Sequence, residues 1–234
     1  MKAVILAGGE GTRLRPITYK TPKPMVTVGG KPMLEWTIEN LAEVGLKDIV
    51  IVVNYKKEVI KNYFKKGADW GVKISYVASG DYKGPAAVYV AKKFLKKGEA
   101  FLNLSADKVL KSRQIKKILN KYEETKADIV FGTGPLEQET IDHYGKNILR
   151  NVPKGITFKN FYSGNEVFSY GFFKYLDMFS KGDEAQNIKA IGKWREDGCK
   201  IAIAQMGKYV HVDSVRQLNY WRKEFEKKGE KIFR

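Results

Sequence analysis

Only one cysteine, Cys199, occurs in the 234 residues, which excludes a disulfide framework and fits a reducing compartment. Histidine is almost as scarce, with His143 and His211 isolated from each other and from any motif. Long apolar runs are missing too. The stretch after Met1-Lys2 covers about five residues, too short for a signal segment and far too short to span a bilayer. These absences point to a cytoplasmic protein without a membrane partner. What remains is 43% hydrophobic and 29% charged, the balance of a soluble globular chain with a sizeable buried core.

Acidic charge is the other shortage. Asp and Glu number 26 against 43 Lys and Arg, a net charge of +17. A single basic stripe with interleaved aromatics would point to nucleic acid. Here the lysines are spread along the chain and gather on helix faces, as in KKFLKK at 92–97 and KYEETK at 121–126. They read as solvated helix surface, so a nucleic-acid partner is not favoured. A homo-oligomer is left open.

Strands and helices alternate, the pattern of a mostly parallel sheet with helices on both faces. The strands expected are Lys2–Ala7, Asp48–Val53, Lys73–Ala78, Ala100–Ser105 and Ala127–Thr133. Between them Leu34, Ile38 and Leu41 share one helical face, as do Val59, Ile60, Tyr63 and Phe64, and Ile115, Ile118, Leu119 and Tyr122. From about Pro135 to Tyr170 glycines, aromatics and short β-branched runs suggest a small antiparallel insertion. Strands follow near 200–212, then a closing helix. Ser214 and Gln217 are spaced as its capping box, with Leu218, Trp221 and Phe225 facing inward. No repeat, low-complexity linker or composition break divides the chain, so a single domain over 1–234 is expected.

The most informative run is AVILAGGEGTRLRPITYKTPKPM at 3–25. An apolar strand empties into a loop whose Gly8, Gly9 and Gly11 let backbone N–H groups approach an anion closely. Arg13 and Lys23, the latter held between Pro22 and Pro24, add positive charge beside that nest. Such a loop suits a polyphosphate. Two common fingerprints fail on spacing. The dinucleotide pattern G-x-G-x-x-G finds Leu at position 14, and the only nearby Gly-Lys, Gly30-Lys31, is followed by Pro32 where a P-loop needs a hydroxyl. The H-x-G-H motif of glycerol-phosphate cytidylyl transfer is absent as well.

The run resembles the opening motif of the sugar-1-phosphate nucleotidyltransferases, G-G-x-G-T-R-L-x-P-x-T-x-x-x-P-K-P. It stands complete from Gly8 to Pro24, followed by the family-like KPMLEWTIENL at 31–41. The resemblance extends over nearly the whole chain. It implies a Rossmann-like α/β/α sandwich with a mixed, mostly parallel sheet, and no β-helix extension after the closing helix. It also implies Mg2+-dependent attack of a sugar 1-phosphate on a nucleoside triphosphate, giving a nucleotide-sugar and pyrophosphate.

On that resemblance Leu6, Gly8, Gly9, Gly11 and Thr12 hold the nucleotide, while Arg13 and Lys23 stabilise its phosphates. Asp107 closes the strand FLNLSAD and Asp213 follows YVHV; together they would hold the metal. Ala106 replaces the family's glycine before the first aspartate, HVDSV replaces its tryptophan motif, and Lys108 is an unusual neighbour for Asp107. The base-reading stretch corresponds to SGDYKGPAAV at 79–88. Gly84 keeps the small residue there, but Ser79 stands where an amide or carboxylate usually reads the base, so side chain or main chain is left open.

On the sugar side, Gly145 of Tyr144-Gly145 and Gly164 of YSGNEVF match glycines that approach the sugar. The family's E-K-P is absent. Lys159 of TFKNF takes the phosphate-binding role in this reading, with Glu166 as the one nearby carboxylate. These departures support an alternative, cytidylyl or other nucleotidyl transfer to a polyol or inositol phosphate. An alternative of another class is a non-catalytic regulatory or nucleic-acid-binding homologue.

Overall fold

KAVILA at 2–7 and DIVIVV at 48–53 are β-branched runs without polar alternation, which suits strands covered on both faces. The computed structural model describes residues 1–82, 84–134, 162–179 and 186–234 and makes both runs central strands. In chain order the strands are β1 (Lys2–Ala7), β2 (Thr27–Val28), β3 (Lys31–Pro32), β4 (Asp48–Val53), β5 (Lys73–Ala78) and β6 (Phe101–Ser105). They continue with β7 (Lys108–Val109), β8 (Ile129–Thr133), β9 (Tyr162–Phe168), β10 (Ile201–Gln205) and β11 (Val210–His211). The helices are α1 (Met33–Glu43), α2 (Lys57–Phe64), α3 (Ser112–Thr125), α4 (Phe172–Leu176), α5 (Gln186–Glu196) and α6 (Val215–Lys228). An eleven-residue 3-10 helix over Gly84–Phe94 leads from β5 toward β6.

Seven strands form one sheet in the order β10-β8-β9-β6-β1-β4-β5. All neighbours run parallel except β9, which is antiparallel to both β6 and β8. The chain moves from β1 outward to β4 and β5, then crosses back to β6 on the other side of β1. The strand order therefore reverses between β1 and β6, and such a switch point opens a crevice at the carboxyl ends of the strands.

Helices cover both faces. Ala3, Ile5 and Ala7 of β1 pack on one face with Leu34, Ile38 and Leu41 of α1, Ile60 and Phe64 of α2, and Ile115 and Ile118 of α3. Val4 packs on the other with Ala87, Val88 and Ala91 of the 3-10 segment and with residues of α4 and α5. A third cluster joins Trp36 of α1 to Leu218 and Trp221 of α6. None of the helices formed by the described residues is long and apolar enough to cross a membrane.

Two expectations change. Val59 and Tyr63 are 40% and 42% exposed, whereas Ile60 and Phe64 of the same helix are fully buried. A helix as short as α2 has room for one inward i, i+4 pair, and Tyr63 instead bonds Glu35 through its hydroxyl at 2.7 Å. The antiparallel character expected from 135 to 170 is present in β9, but as an interior strand of the main sheet. Asn165, Glu166, Val167 and Phe168 are buried there. Residues 135–161 of that expected insertion lie outside the described residues.

Two small antiparallel pairs matter for the site. β2 pairs with β3, steadying the chain after Lys23. β7 pairs with β11, His211 opposite Lys108, and the Val212 amide donates to the Asp107 carbonyl at 3.0 Å. This ladder lashes the segment around Asp213 to the end of β6.

Candidate active site

The loop after β1 turns through Gly11, which adopts a left-handed conformation with φ of +65°. A Cβ there would stand 2.8 Å from the Lys23 Cβ, so only glycine lets the lysine stem pass. Thr18 donates its hydroxyl to the Gly11 carbonyl at 2.8 Å, and the Tyr55 hydroxyl donates to the Thr18 carbonyl at 2.9 Å. The loop is thus braced from behind. Gly8 lies tight against Asn54, where a Cβ would meet its neighbour at 3.1 Å, whereas Gly9 faces open space.

Lys23 begins a short 3-10 turn, Lys23–Met25, with Pro22 before it in an extended conformation. The stem is buried and its ammonium reaches two carboxylates from distant parts of the chain: 3.0 Å to Asp107 Oδ2 and 2.5 Å to Asp213 Oδ1. Arg13 forms an ion pair with Asp213 Oδ2. Asp107 Oδ1 accepts from the Ser105 hydroxyl at 2.7 Å and lies 3.4 Å from Lys108 Nζ. His211 Nε2 lies 3.7 Å from Asp107 Oδ2. Burial alone would raise the Asp107 pKa, but the charges of Lys108 and Lys23 and the contact with His211 override it and hold the carboxyl well below its usual range.

Asp213 is aimed by the start of α6. Ser214 caps that helix, accepting from the Gln217 amide at 3.3 Å. The Gln217 side chain returns one residue earlier than a standard box, accepting from the Asp213 amide at 2.6 Å. The cap therefore orients the aspartate as well as ending the helix.

The expected residues fall in several places. Arg13, Lys23, Asp107 and Asp213 come together at the switch point. Leu6, Gly8, Gly9, Gly11 and Thr12 line the end of β1 beside them. Ser79, whose amide donates to the Val53 carbonyl at 3.0 Å, sits at the same edge where β5 ends. Gly84 opens the 3-10 segment with φ of +52° and no neighbour where a Cβ would be. Gly164, also left-handed, lies across β6, and its missing Cβ would sit 3.2 Å from Lys108 Nζ. Gly145 and Lys159 lie outside the described residues. Glu166 is fully buried and accepts from the Asn103 amide at 2.8 Å, so it faces its sheet neighbour.

Sequence reasoning passed over Ser105 and His211. His211 is not isolated: Asp107, His211 and Asp213 each offer a ligand atom, all within 4.8 Å of one another. A signal was available in H-x-D at a strand end, because residues i and i+2 of an extended chain share a face. The donor set suits a divalent cation, which takes a few carboxylate oxygens and leaves the remaining positions to water and phosphate.

The chain has relatives among known proteins. The chain belongs to the nucleotidyl transferase family, whose profile matches residues 2–148. A low-salt glycan biosynthesis nucleotidyltransferase of Haloferax volcanii, Agl11, is 42% identical over 113 residues, covering 47% of this chain and 31% of that one. The UTP–glucose-1-phosphate uridylyltransferase AglF of the same organism is 34% identical over 146 residues, covering 62% of this chain and 58% of its own. A mannose-1-phosphate guanyltransferase of Debaryomyces hansenii is 46% identical over 101 residues, 42% of this chain and 28% of the relative. The chain thus matches less than two thirds of the length of each of these relatives. Among solved structures, UDP-glucose pyrophosphorylase of Acinetobacter baumanii superposes with a TM-score of 0.75 at 19% identity, covering 99% of this chain and 95% of that one. That likeness is one of fold.

Proposed function

We propose that the chain transfers a nucleotidyl group from a nucleoside triphosphate to a sugar 1-phosphate, releasing pyrophosphate, with Mg2+ as the divalent cation. The observation that carries this reading is the convergence of Lys23, Arg13, Asp107 and Asp213 at the end of β1. Support comes from the complete Gly8–Pro24 motif and from relatives named for uridylyl and guanylyl transfer to sugar 1-phosphates.

Two polyanions must meet for this reaction. Each pair of like unit charges about 4 Å apart costs ~1 kcal/mol in water and ~4 kcal/mol at an effective dielectric of 20. Preorganised cations and backbone dipoles offset that cost. In this reading the backbone from Gly8 to Thr12 and the Arg13 guanidinium hold the β- and γ-phosphates, and Lys23 stabilises charge at the α-phosphate. Asp107 and Asp213 would hold the cation, which when bound neutralises phosphate charge and polarises the phosphorus under attack. An acceptor phosphate oxygen forms the new bond to the α-phosphorus as the bond to the pyrophosphate oxygen breaks. No proton has to be removed from a phosphate dianion, so positioning and charge complementarity carry the catalysis.

Gly164 would let the sugar approach the end of β6, and Lys108 stands beside it as a cation for the acceptor. Glu166 favours a second reading. Because it is fully buried against Asn103, the role of the missing E-K-P carboxylate goes unfilled among the described residues, which suits a polyol or inositol phosphate acceptor. A matrix of triphosphates and acceptor phosphates, read by pyrophosphate release, tests both. Turnover with a hexose 1-phosphate is the expected result. Turnover only with a polyol or inositol phosphate selects the second reading, and none with any pair removes both.

A further inference from the structure

His211 stands at a position with no assigned role, yet its ring lies beside the two aspartates. It belongs to β11, opposite Lys108 of β7, and its carbonyl accepts from the Trp221 indole N–H at 2.9 Å. The residue is 8% exposed, so its ring is largely shielded from solvent. Its Nε2 lies 3.7 Å from the Asp107 oxygen that also faces Lys23. Ligands on one small divalent ion lie about 3 Å apart when adjacent and about 4 Å when opposite. The spread of 4.8 Å across Asp107, His211 and Asp213 is therefore closed by side-chain shifts of about an ångström.

We propose that His211 is a third protein ligand of the cation held by Asp107 and Asp213, and that this nitrogen raises the site's affinity for Mn2+ while adding little to that for Mg2+, the cation of the proposed reaction. Mg2+ prefers oxygen donors and dehydrates reluctantly, so an imidazole adds little to its affinity. Mn2+ and Co2+ accept two carboxylates and one imidazole together, and such mixed sets favour transition metals. The inference rests on the reading of Asp107 and Asp213 as cation ligands and goes beyond it in naming the donor that sets the preference.

The test is pulsed electron paramagnetic resonance of Mn2+ bound to the full chain without nucleotide. Nitrogen modulation from one directly bound imidazole is expected, changing to the 15N pattern when histidine alone carries 15N. His211→Phe should abolish the modulation, weaken Mn2+ about tenfold or more, and leave Mg2+ affinity within about twofold. His143 is the other histidine, so 15N coupling kept in a His143→Phe chain assigns the bound nitrogen to His211 even where His211→Phe fails to fold. Mn2+ bound without nitrogen coupling, or coupling retained in a folded His211→Phe chain, overturns the role of His211 while sparing the carboxylates. Mn2+ binding unaffected by Asp107→Asn and Asp213→Asn overturns the underlying site reading.

Discussion

Lys23 Nζ lies 2.5 Å from Asp213 Oδ1 and at the same time contacts Asp107, so one ammonium occupies the gap between two carboxylates far apart in the sequence. Without it, two negative charges about 4 Å apart would repel by ~4 kcal/mol at an effective dielectric of 20. A divalent cation drawn to the same oxygens has to displace the ammonium. On the proposed reading the displaced lysine would then meet a phosphate, coupling cation entry to substrate charge.

Lys23→Ala should therefore act in two opposite directions. The kcat should fall about 10²–10³-fold through loss of transition-state charge stabilisation, with a smaller change in triphosphate affinity. Titration of Mn2+ without nucleotide should show tighter binding than in the wild type, because the competing ammonium is gone. Weaker Mn2+ binding in the variant would refute the competition.

Asp107→Asn removes a charge while keeping volume, and leaves Lys23 and Lys108 with one carboxylate fewer. Losing a charged partner of this kind should cost about 1–3 kcal/mol of stability. For a chain of this size each kcal/mol lowers Tm by about 2–4 °C. Cation-dependent turnover should vanish, and Mn2+ should no longer raise the melting temperature. A variant turning over at the wild-type rate would show that the cation sits elsewhere.

Cys199 offers a check on packing remote from the chemistry. Burial first, and the charge of Asp128 second, push its thiol from the usual 9.0 up to about 11. The thiolate is the reactive form, so at pH 8 its labelling by a disulfide reagent should be about 100-fold slower in the folded chain than in urea. The sign for stability follows: the folded chain keeps a proton that the unfolded chain loses above pH 9. The stability present below pH 9 therefore declines as pH rises toward 11. Equal labelling rates in both states would contradict the burial.

Much of this was legible before any coordinates. β1, β4 and β5 begin and end where the apolar runs do, and β6 and β8 start one and two residues later than expected. Asp107 could be placed because a carboxylate at the end of a parallel strand has one edge of the sheet to face. The pairing of β7 with β11 was not legible, since two-residue strands carry no periodic signal. That pairing brings His211 to Asp107, so the third candidate ligand was lost with it. The antiparallel character of β9 was legible, but its place between β6 and β8 was not, because a glycine at 164 and an acid at 166 give no sign of a strand buried inside the main sheet. Val59 and Tyr63 fit the helical period as well as Ile60 and Phe64 do, and only tertiary packing chose between them.

Gly11→Ala tests the loop as a shaped object. Alanine in the left-handed region costs about 1–2 kcal/mol by itself. Its Cβ would also stand 2.8 Å from the Lys23 Cβ and 3.1 Å from Thr18 Cγ2, so the lysine stem has to shift. Rotation about the Lys23 side chain cannot absorb that contact, because Cβ is fixed to the backbone. The ammonium should leave its position between the aspartates, and activity should fall further than the melting temperature implies. Gly9→Ala is the matched control, because nothing lies within 4 Å of where its Cβ would be. It should keep the fold and the Lys23–Asp213 contact, so any loss there reports blocked approach of the phosphates. A Gly11→Ala chain with wild-type kcat and only a modest stability loss would mean that the position of Lys23 is not what the loop is built to hold.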